Sequence, residues 1–498
     1  MSNHNLIKII AFLLFTNLTA VAQQNPKKPN IIYIYADDMG YGEIGPYGQK
    51  QIKTPNLDRM AKEGIKFTQH YTSTPVCAPA RCMLMTGKHG GHSYIRGNYE
   101  MGDFTDENEG GQMPLPEGIF TLPKMLKSVG YSTGIIGKWG LGMPFNTGDP
   151  NKQGFDYVYG FLDQKQAHNH YPTHLWENGK KDMLNNPYVF MHKNIDSAKA
   201  KDADYDNFIG KDYAGAKFTE KSLKFIDDHK NKPFFLYIPF TIPHVGLQAP
   251  TEYVNQYIGK FPGEHPYYGQ QGYNPSKYPL STYAAMITYL DHQIGVIIDK
   301  VKALGLDNNT IIMFSSDNGA TFNGGVQAKY FNSLAGLRGF KMDLFEGGIR
   351  EPFIARWPGK IKANSVSDLI SVQFDMMATF AEISGGKANN TDGISLLPTL
   401  LGNIKAQKPR EYIYFEYPEN GGQVAIRMGN WKGLRLNVRK NIDSPWMLFN
   451  LKDDFAETTD VSAQHPEIIA KFKLIQIKEH QNSHINDWEF LNSKMVKK

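Results

Sequence analysis

Short runs of apolar, β-branched and aromatic residues that stop abruptly at polar ones recur along the chain, at residues 31–36, 132–136, 234–238 and 310–314. Their length and composition predict buried strands. Between them lie stretches with apolar residues at helical spacing, 122–129, 217–228 and 283–301, the last carrying Met286, Ile287, Leu290, Ile294, Ile297 and Ile298. This alternation predicts an α/β domain built on a largely parallel sheet sandwiched by helices, spanning residues 25–400. From about residue 405 the pattern changes. Segments 412–417, 423–428 and 431–436 read as strands joined by tight turns such as Glu419-Asn420-Gly421-Gly422, before a helix from about Pro466 to Glu479. A smaller α+β subdomain with an antiparallel sheet is expected over 405–490.

In an open parallel sheet, ligands sit beyond the carboxyl ends of the strands. The first run delivers Asp37-Asp38 there, the second Lys138, the third His244 after Thr241-Ile242-Pro243, and the fourth Asp317-Asn318-Gly319. Three carboxylates, an amide, an ammonium and an imidazole are thus positioned to meet in one crevice. Any one of these Asp residues alone reads as a helix cap or turn former. Brought together, the acidic groups would repel unless a cation lay between them, and oxygen ligands from Asp and Asn suit calcium or magnesium. Asp37, Asp38, Asp317 and Asn318 are therefore the candidate metal cage.

The N-terminus carries Lys8, an apolar run over 9–15, and Ala20-Val21-Ala22 before Gln23. This is the layout of a cleaved secretory signal over residues 1–22, whereas a membrane anchor would need a longer apolar run. A periplasmic or secreted protein is expected, with no lipid-anchor cysteine and no second stretch long enough to span a bilayer. Apolar residues make up 41% of the 498 and aromatics 12%, which excludes a disordered chain. The net charge of +5 becomes +4 once Lys8 leaves with the signal. That mild excess agrees with an anionic substrate, and without a clustered basic stripe it gives no reason to expect nucleic acid. Only Cys77 and Cys82 occur, close together in a chain read as exported. Two buried thiols is one reading; a chemical role for the segment is the other.

Cys77 lies just ahead of a short predicted helix, with Pro79 suited to its first turn and Arg81 one turn on. A helix N-terminus and a guanidinium both favour an anion at or beside residue 77. The segment resembles the signature of the formylglycine-dependent sulfatases, of the alkaline-phosphatase-like superfamily: Cys-x-Pro-x-Arg followed by Thr-Gly, matched by Cys77, Pro79, Arg81, Thr86 and Gly87. Further landmarks follow in family order, among them 30–38 with Gly40-Tyr41-Gly42, 130–139, Pro243-His244, 316–319, 337–339 with Lys341, and 346–352. The resemblance implies that a formylglycine-generating or anaerobic sulfatase-maturating enzyme oxidises Cys77 to Cα-formylglycine. Its hydrate attacks sulfur, and the sulfated intermediate then expels sulfate. It implies calcium as the ion, with residue 77 completing the cage, Lys138 and Lys341 on the sulfate oxygens, Arg81 supporting the diol, and His244 as general acid.

One position departs from the family. Where many relatives read Gly-Lys-Trp-His-Leu-Gly, this chain has Gly137-Lys138-Trp139-Gly140-Leu141-Gly142, so the histidine credited with deprotonating the diol is absent. His168 or His170 is expected either to reach the vacant space or to contact substrate. A sulfated carbohydrate, with a galactose-type glycan as the guess from resemblance, is the expected substrate, with Trp176, Glu419 and Gln423 as further contacts. Trp176 reads equally well as core. Two rival functions stand beside this one: a phosphomonoester or phosphonate hydrolase on the same fold, and a catalytically silent carbohydrate-binding protein.

Overall fold

Strand β1 (Asn30–Asp37) is buried along its whole length and sends alternate side chains to opposite faces of the sheet. Ile31, Tyr33 and Tyr35 join a cluster with Cys82 and Met85 of the helix Cys77–Thr86 and Met376 and Phe380 of the helix Asp375–Ser384. Ile32, Ile34 and Ala36 join another, with Phe218 of the helix Ala214–His229 and Ile287, Leu290 and Ile294 of the helix Pro279–Ala303. Helices cover both faces, and this is why the strand is apolar at consecutive positions rather than alternate ones. The computed structural model describes residues 28–102 and 104–492; the expected signal segment lies outside them.

The other strands of this sheet are β2 (Ile65–Tyr71), β3 (Ser132–Lys138), β4 (Tyr157–Phe161), β5 (His174–Glu177), β6 (Lys180–Met183), β7 (Phe234–Pro243), β8 (Thr310–Ser316), β9 (Arg350–Arg356), β10 (Ser365–Ser367) and β11 (Ser371–Val372). Their order is β10-β2-β9-β8-β1-β7-β3-β4-β5-β6, with β11 also on β2. The centre, β8-β1-β7-β3-β4, is parallel throughout. On one side β9 runs antiparallel to both β8 and β2, and on the other β5 runs antiparallel to β4 and β6. Parallel strands end at one edge, so Asp37, Lys138, His244 and Asp317 emerge together. Register places Ala36 against Ser316 and Asp37 against Pro243.

Beyond residue 405, β12 (Ile413–Tyr417), β13 (Gln423–Met428), β14 (Trp431–Arg435) and β15 (Met447–Asn450) form an antiparallel sheet of four strands in sequence order. One face, with Ile413, Phe415, Tyr417 and Leu434, packs on Tyr71, Val76, Leu344 and Ile349. The other, with Tyr414, Val424 and Ile426, is covered by Ile468, Phe472 and Ile475 of the helix Pro466–Glu479. The small sheet is thus wedged against the Cys77 segment.

The expected helices and central strands are present. Strand β7 runs five residues past its expected end, because Pro239 and Pro243 are accommodated where the pairing with β1 shifts register and needs no donor from them.

Candidate active site

Asp38 follows β1 with φ 66°, a left-handed backbone that is uncommon for a residue with a side chain. The turn brings consecutive Asp37 and Asp38 to one place, where a strand would point them to opposite faces. Both are fully buried, as are Asp317 and Asn318 after β8. Asp38 N donates to Asp317 Oδ1 over 3.1 Å, and Asn318 Nδ2 to Asp38 Oδ1 over 2.7 Å. Asp38, Asp317 and Asn318 therefore touch one another, and Asp37 is joined to Asp317 through Arg81.

Cations close the cluster from three sides. Lys138 Nζ lies 2.6 Å from Asp37 Oδ2, Lys341 Nζ 2.8 Å from Asp38 Oδ1, and Arg81 Nη2 2.7 Å from Asp317 Oδ2 and 3.3 Å from Asp37 Oδ2. Arg81 Nη1 also donates to the Lys138 carbonyl, fixing the guanidinium between two strand ends. Burial works to raise the Asp37 carboxyl, yet Lys138, His244, Arg81 and Lys341 hold it far below the ordinary carboxylate range. Asp38 and Asp317 are pushed up by burial, with the charge on Asp37 adding to it. Two buried oxygens, Asp37 Oδ1 and Asn318 Oδ1, have no hydrogen-bond partner. Unpaired buried acceptors are costly, and a hard cation satisfies such a pair.

The helix Cys77–Thr86 starts at Cys77 itself, preceded by extended Val76 and closed by Gly87 in the left-handed region. Cys77 Sγ points into a cavity of about 330 Å³, whose walls include Gln164, His168, His244, Lys341 and Glu419. Burial raises the thiol, while Lys138 and Lys341 act against that rise. The His244 ring hydrogen-bonds through Nδ1 to the Val245 carbonyl, which leaves Nε2 toward Asp38 Oδ2 at 3.7 Å. Burial and the Lys341 charge lower its pKa well below the ordinary value. His168 stacks on it, ring centroids 5.1 Å apart, with Nδ1 3.2 Å from His192 Nε2.

Three expected contacts do not line the cavity. His170 is buried with both ring nitrogens engaged, by Thr241 Oγ1 and the His244 carbonyl. Trp176 donates to Glu109 and lies on β5. Gln423 is sealed beneath the Lys341 loop, donating to the Met342 carbonyl and accepting from Leu344 N, both over 2.9 Å. That loop is pinned from the other side as well, by Met342 N to the Pro75 carbonyl and Lys341 N to the Ala320 carbonyl. Arg350 holds the Thr68 carbonyl and Glu346.

Sequence reasoning missed Asn98, Gln164, Tyr273 and Asn323 on the cavity wall. Asn98 and Gln164 are single amides after unpatterned segments, with no spacing to mark them. A second group of possible ligands, His89, His92 and Asp392 with Glu479, is satisfied internally. His89 Nδ1 accepts from Gly91 N, so its Nε2 carries the proton that Glu479 receives and is not free to bind a metal.

The family model described as Sulfatase matches residues 29–386, and one described as N-sulphoglucosamine sulphohydrolase, C-terminal, matches 340–483. An N-acetylgalactosamine-6-O-sulfatase of Bacteroides thetaiotaomicron is 31% identical over 90% of this chain and 92% of its own. An N-acetylgalactosamine-6-sulfatase of Rattus norvegicus is also 31% identical, over 86% and 76%. The crystal structure of Ps i-CgsB in complex with k-i-k-neocarrahexaose aligns with TM-score 0.72 and 28% identity, covering 94% of this chain and 96% of that one.

Proposed function

The chain belongs to the sulfatase family and is a hydrolase of sulfate esters, and from that footing we propose that it releases sulfate from a sulfated carbohydrate of galactose type, using calcium and a formylglycine made from Cys77. The observation that carries the reading is the meeting of a buried Cys77, two unpaired cage oxygens and three cationic side chains at one edge of the sheet. The acetylgalactosamine sulfatases among its relatives support the sugar class.

Asp37, Asp38, Asp317 and Asn318 would hold the ion, with residue 77 beside them. When bound, calcium and the hydrated aldehyde together supply an acidified hydroxyl as nucleophile and a positive charge for the sulfuryl oxygens. The protein's part is orientation and charge. Lys138 and Lys341 flank the cage from opposite sides and present ammonium groups where negative charge builds on the sulfuryl oxygens. Arg81 fixes Asp37 and Asp317 by contacting both carboxylates. His244, with Nδ1 donating to a carbonyl, turns Nε2 to the cavity, where it would serve a departing sugar oxygen as general acid only once the ring is protonated. The signal-like N-terminus supports export to the periplasm or medium.

The test is sulfate release from defined sulfated mono- and disaccharides by protein matured with a formylglycine-forming enzyme, alongside the matching phosphate esters. Release confined to sulfate esters, lost in Cys77→Ala and kept in Cys82→Ala, is the expected result. Equal turnover of phosphate esters, or full activity in Cys77→Ala, sinks the proposal.

A further inference from the structure

We propose that Gln164 occupies the space a side chain at position 140 would fill and orients the reacting group at residue 77 through its carboxamide. The proposal rests on the sulfatase reading above and assigns a catalytic residue that the motif pattern does not contain.

Two contacts converge on this side chain. Gly140 has φ +71°, and a Cβ added there would stand 2.9 Å from both Gln164 Cγ and Nε2 and 3.1 Å from Cδ. Those are overlaps, so the volume next to residue 140 is already filled by Gln164. Separately, Gln164 Oε1 lies 2.7 Å from Cys77 Sγ and accepts from its S–H. The sulfur stands in for a hydroxyl oxygen of the hydrated aldehyde, so the same amide would accept from that hydroxyl. Asn98 is the other amide near the sulfur, at 3.8 Å from Nδ2, and its Oδ1 is engaged by Ala78 N.

The placement is built. Gln164 is only 6% exposed, and its backbone N is tied to Gln112 Oε1 at 2.9 Å. Its Nε2 is buried without a hydrogen-bond partner, a donor kept free next to a site for an anion. Of the histidines expected to replace the missing ring, His170 is buried with both ring nitrogens engaged, and His168 is stacked on His244 with Nδ1 toward His192.

A carboxamide accepts and donates hydrogen bonds without ionising near neutral pH. Gln164 therefore fixes the direction of the residue 77 hydroxyl but takes no proton from it, in contrast to an imidazole at that place. The proton of the second hydroxyl must leave by another group or by water, and residue 164 contributes no limb to the pH profile.

The decisive readout is independent of turnover. In the unconverted protein the S–H stretching band of Cys77, assigned by its loss in Cys77→Ser, should move to higher frequency in Gln164→Ala, because the acceptor is gone. In matured protein the same variant should lose about 10- to 100-fold in kcat with KM for a sulfated sugar changed less than about threefold. Gln164→Glu should recover part of kcat and add a new acid limb to the pH profile. Gly140→His should be impaired by collision with Gln164, and adding Gln164→Ala to it should restore activity rather than lower it further. If alanine prevents folding, Gln164→Met, of similar volume and without an amide, carries the same expectations. An unmoved S–H band with unchanged kcat would make Gln164 a filler and overturn the assignment; so would a rise in KM with kcat intact, which would make it a substrate contact. Absence of sulfate release by the parental matured protein would instead overturn the functional reading, and the S–H band would still test the contact.

Discussion

Lys138 Nζ and Asp37 Oδ2 are 2.6 Å apart, in a setting where neither side chain reaches water. One carboxylate thus answers two demands: it anchors an ammonium and keeps its other oxygen, Oδ1, free of any hydrogen bond. Under the proposed function, the arrangement would separate a ligand for the ion from a clamp for the substrate within a single ion pair.

Lys138→Ala should lower kcat/KM by about 10²- to 10³-fold, the usual scale for one lost charge-stabilising donor. Calcium binding should hold or tighten, since Asp37 loses a competing cation. Calorimetric titration beside steady-state kinetics checks both; affinity falling in step with activity would make Lys138 a support of the cage.

Calcium at about a hundred times its Kd should add about 2.7 kcal/mol to unfolding stability. Asp317→Asn should lose most of that gain, because the cage loses a charge and Arg81 loses its nearer partner. Denaturant unfolding with calcium and with chelator measures the difference. An undiminished calcium effect in the variant would remove Asp317 from the cage.

His480 makes stability depend on pH. Burial alone would lower the ring, but its hydrogen bond to Glu416 and the Glu489 carboxylate 3.2 Å from Nε2 outweigh it and raise its pKa from 6.5 to about 9. The folded value lies above the unfolded one, so the contribution is full below about pH 6.5 and disappears as pH rises through 9. Solvent screening of the partly exposed ring reduces it to about 1–2 kcal/mol. Unfolding midpoints at pH 6 and pH 9.5 should differ more in the parent than in His480→Gln.

Lys432 is fully buried, 3.0 Å from Glu346 and 2.9 Å from Glu457. Lys432→Met leaves two buried carboxyls facing each other and should cost about 3–5 kcal/mol. Adding Glu346→Gln and Glu457→Gln should restore part of the loss, as for coupled charges. Equal or greater destabilisation in the triple variant would show that the pairing is not what the lysine supplies.

The parallel core and the meeting of polar residues at its edge were legible in sequence because each rests on a local signal: a run of apolar residues, and a polar residue at its end. Asp37, Lys138, His244 and Asp317 needed only a fold class to bring them together. Strands β2 and β9 were not read, since Lys66, Thr68, Arg350 and Glu351 break the apolar pattern and make their contacts across the chain. The cavity wall was harder still. His170 and Gln164 lie six residues apart, and only tertiary packing decides that the amide meets residue 77 while the ring turns toward Thr241. Gln423 looked like a rim residue; its partners are the backbone of 342–344, which no spacing rule reveals.

Met342 is held on one side by Pro75 and on the other by Gln423 and Asn420, so the small antiparallel sheet and the segment carrying Cys77 share one peptide. Swapping strands 413–450 for those of another enzyme would therefore not be a cosmetic exchange of specificity loops. It would disturb the Met342 peptide, and with it the placement of its neighbour Lys341 beside Asp38.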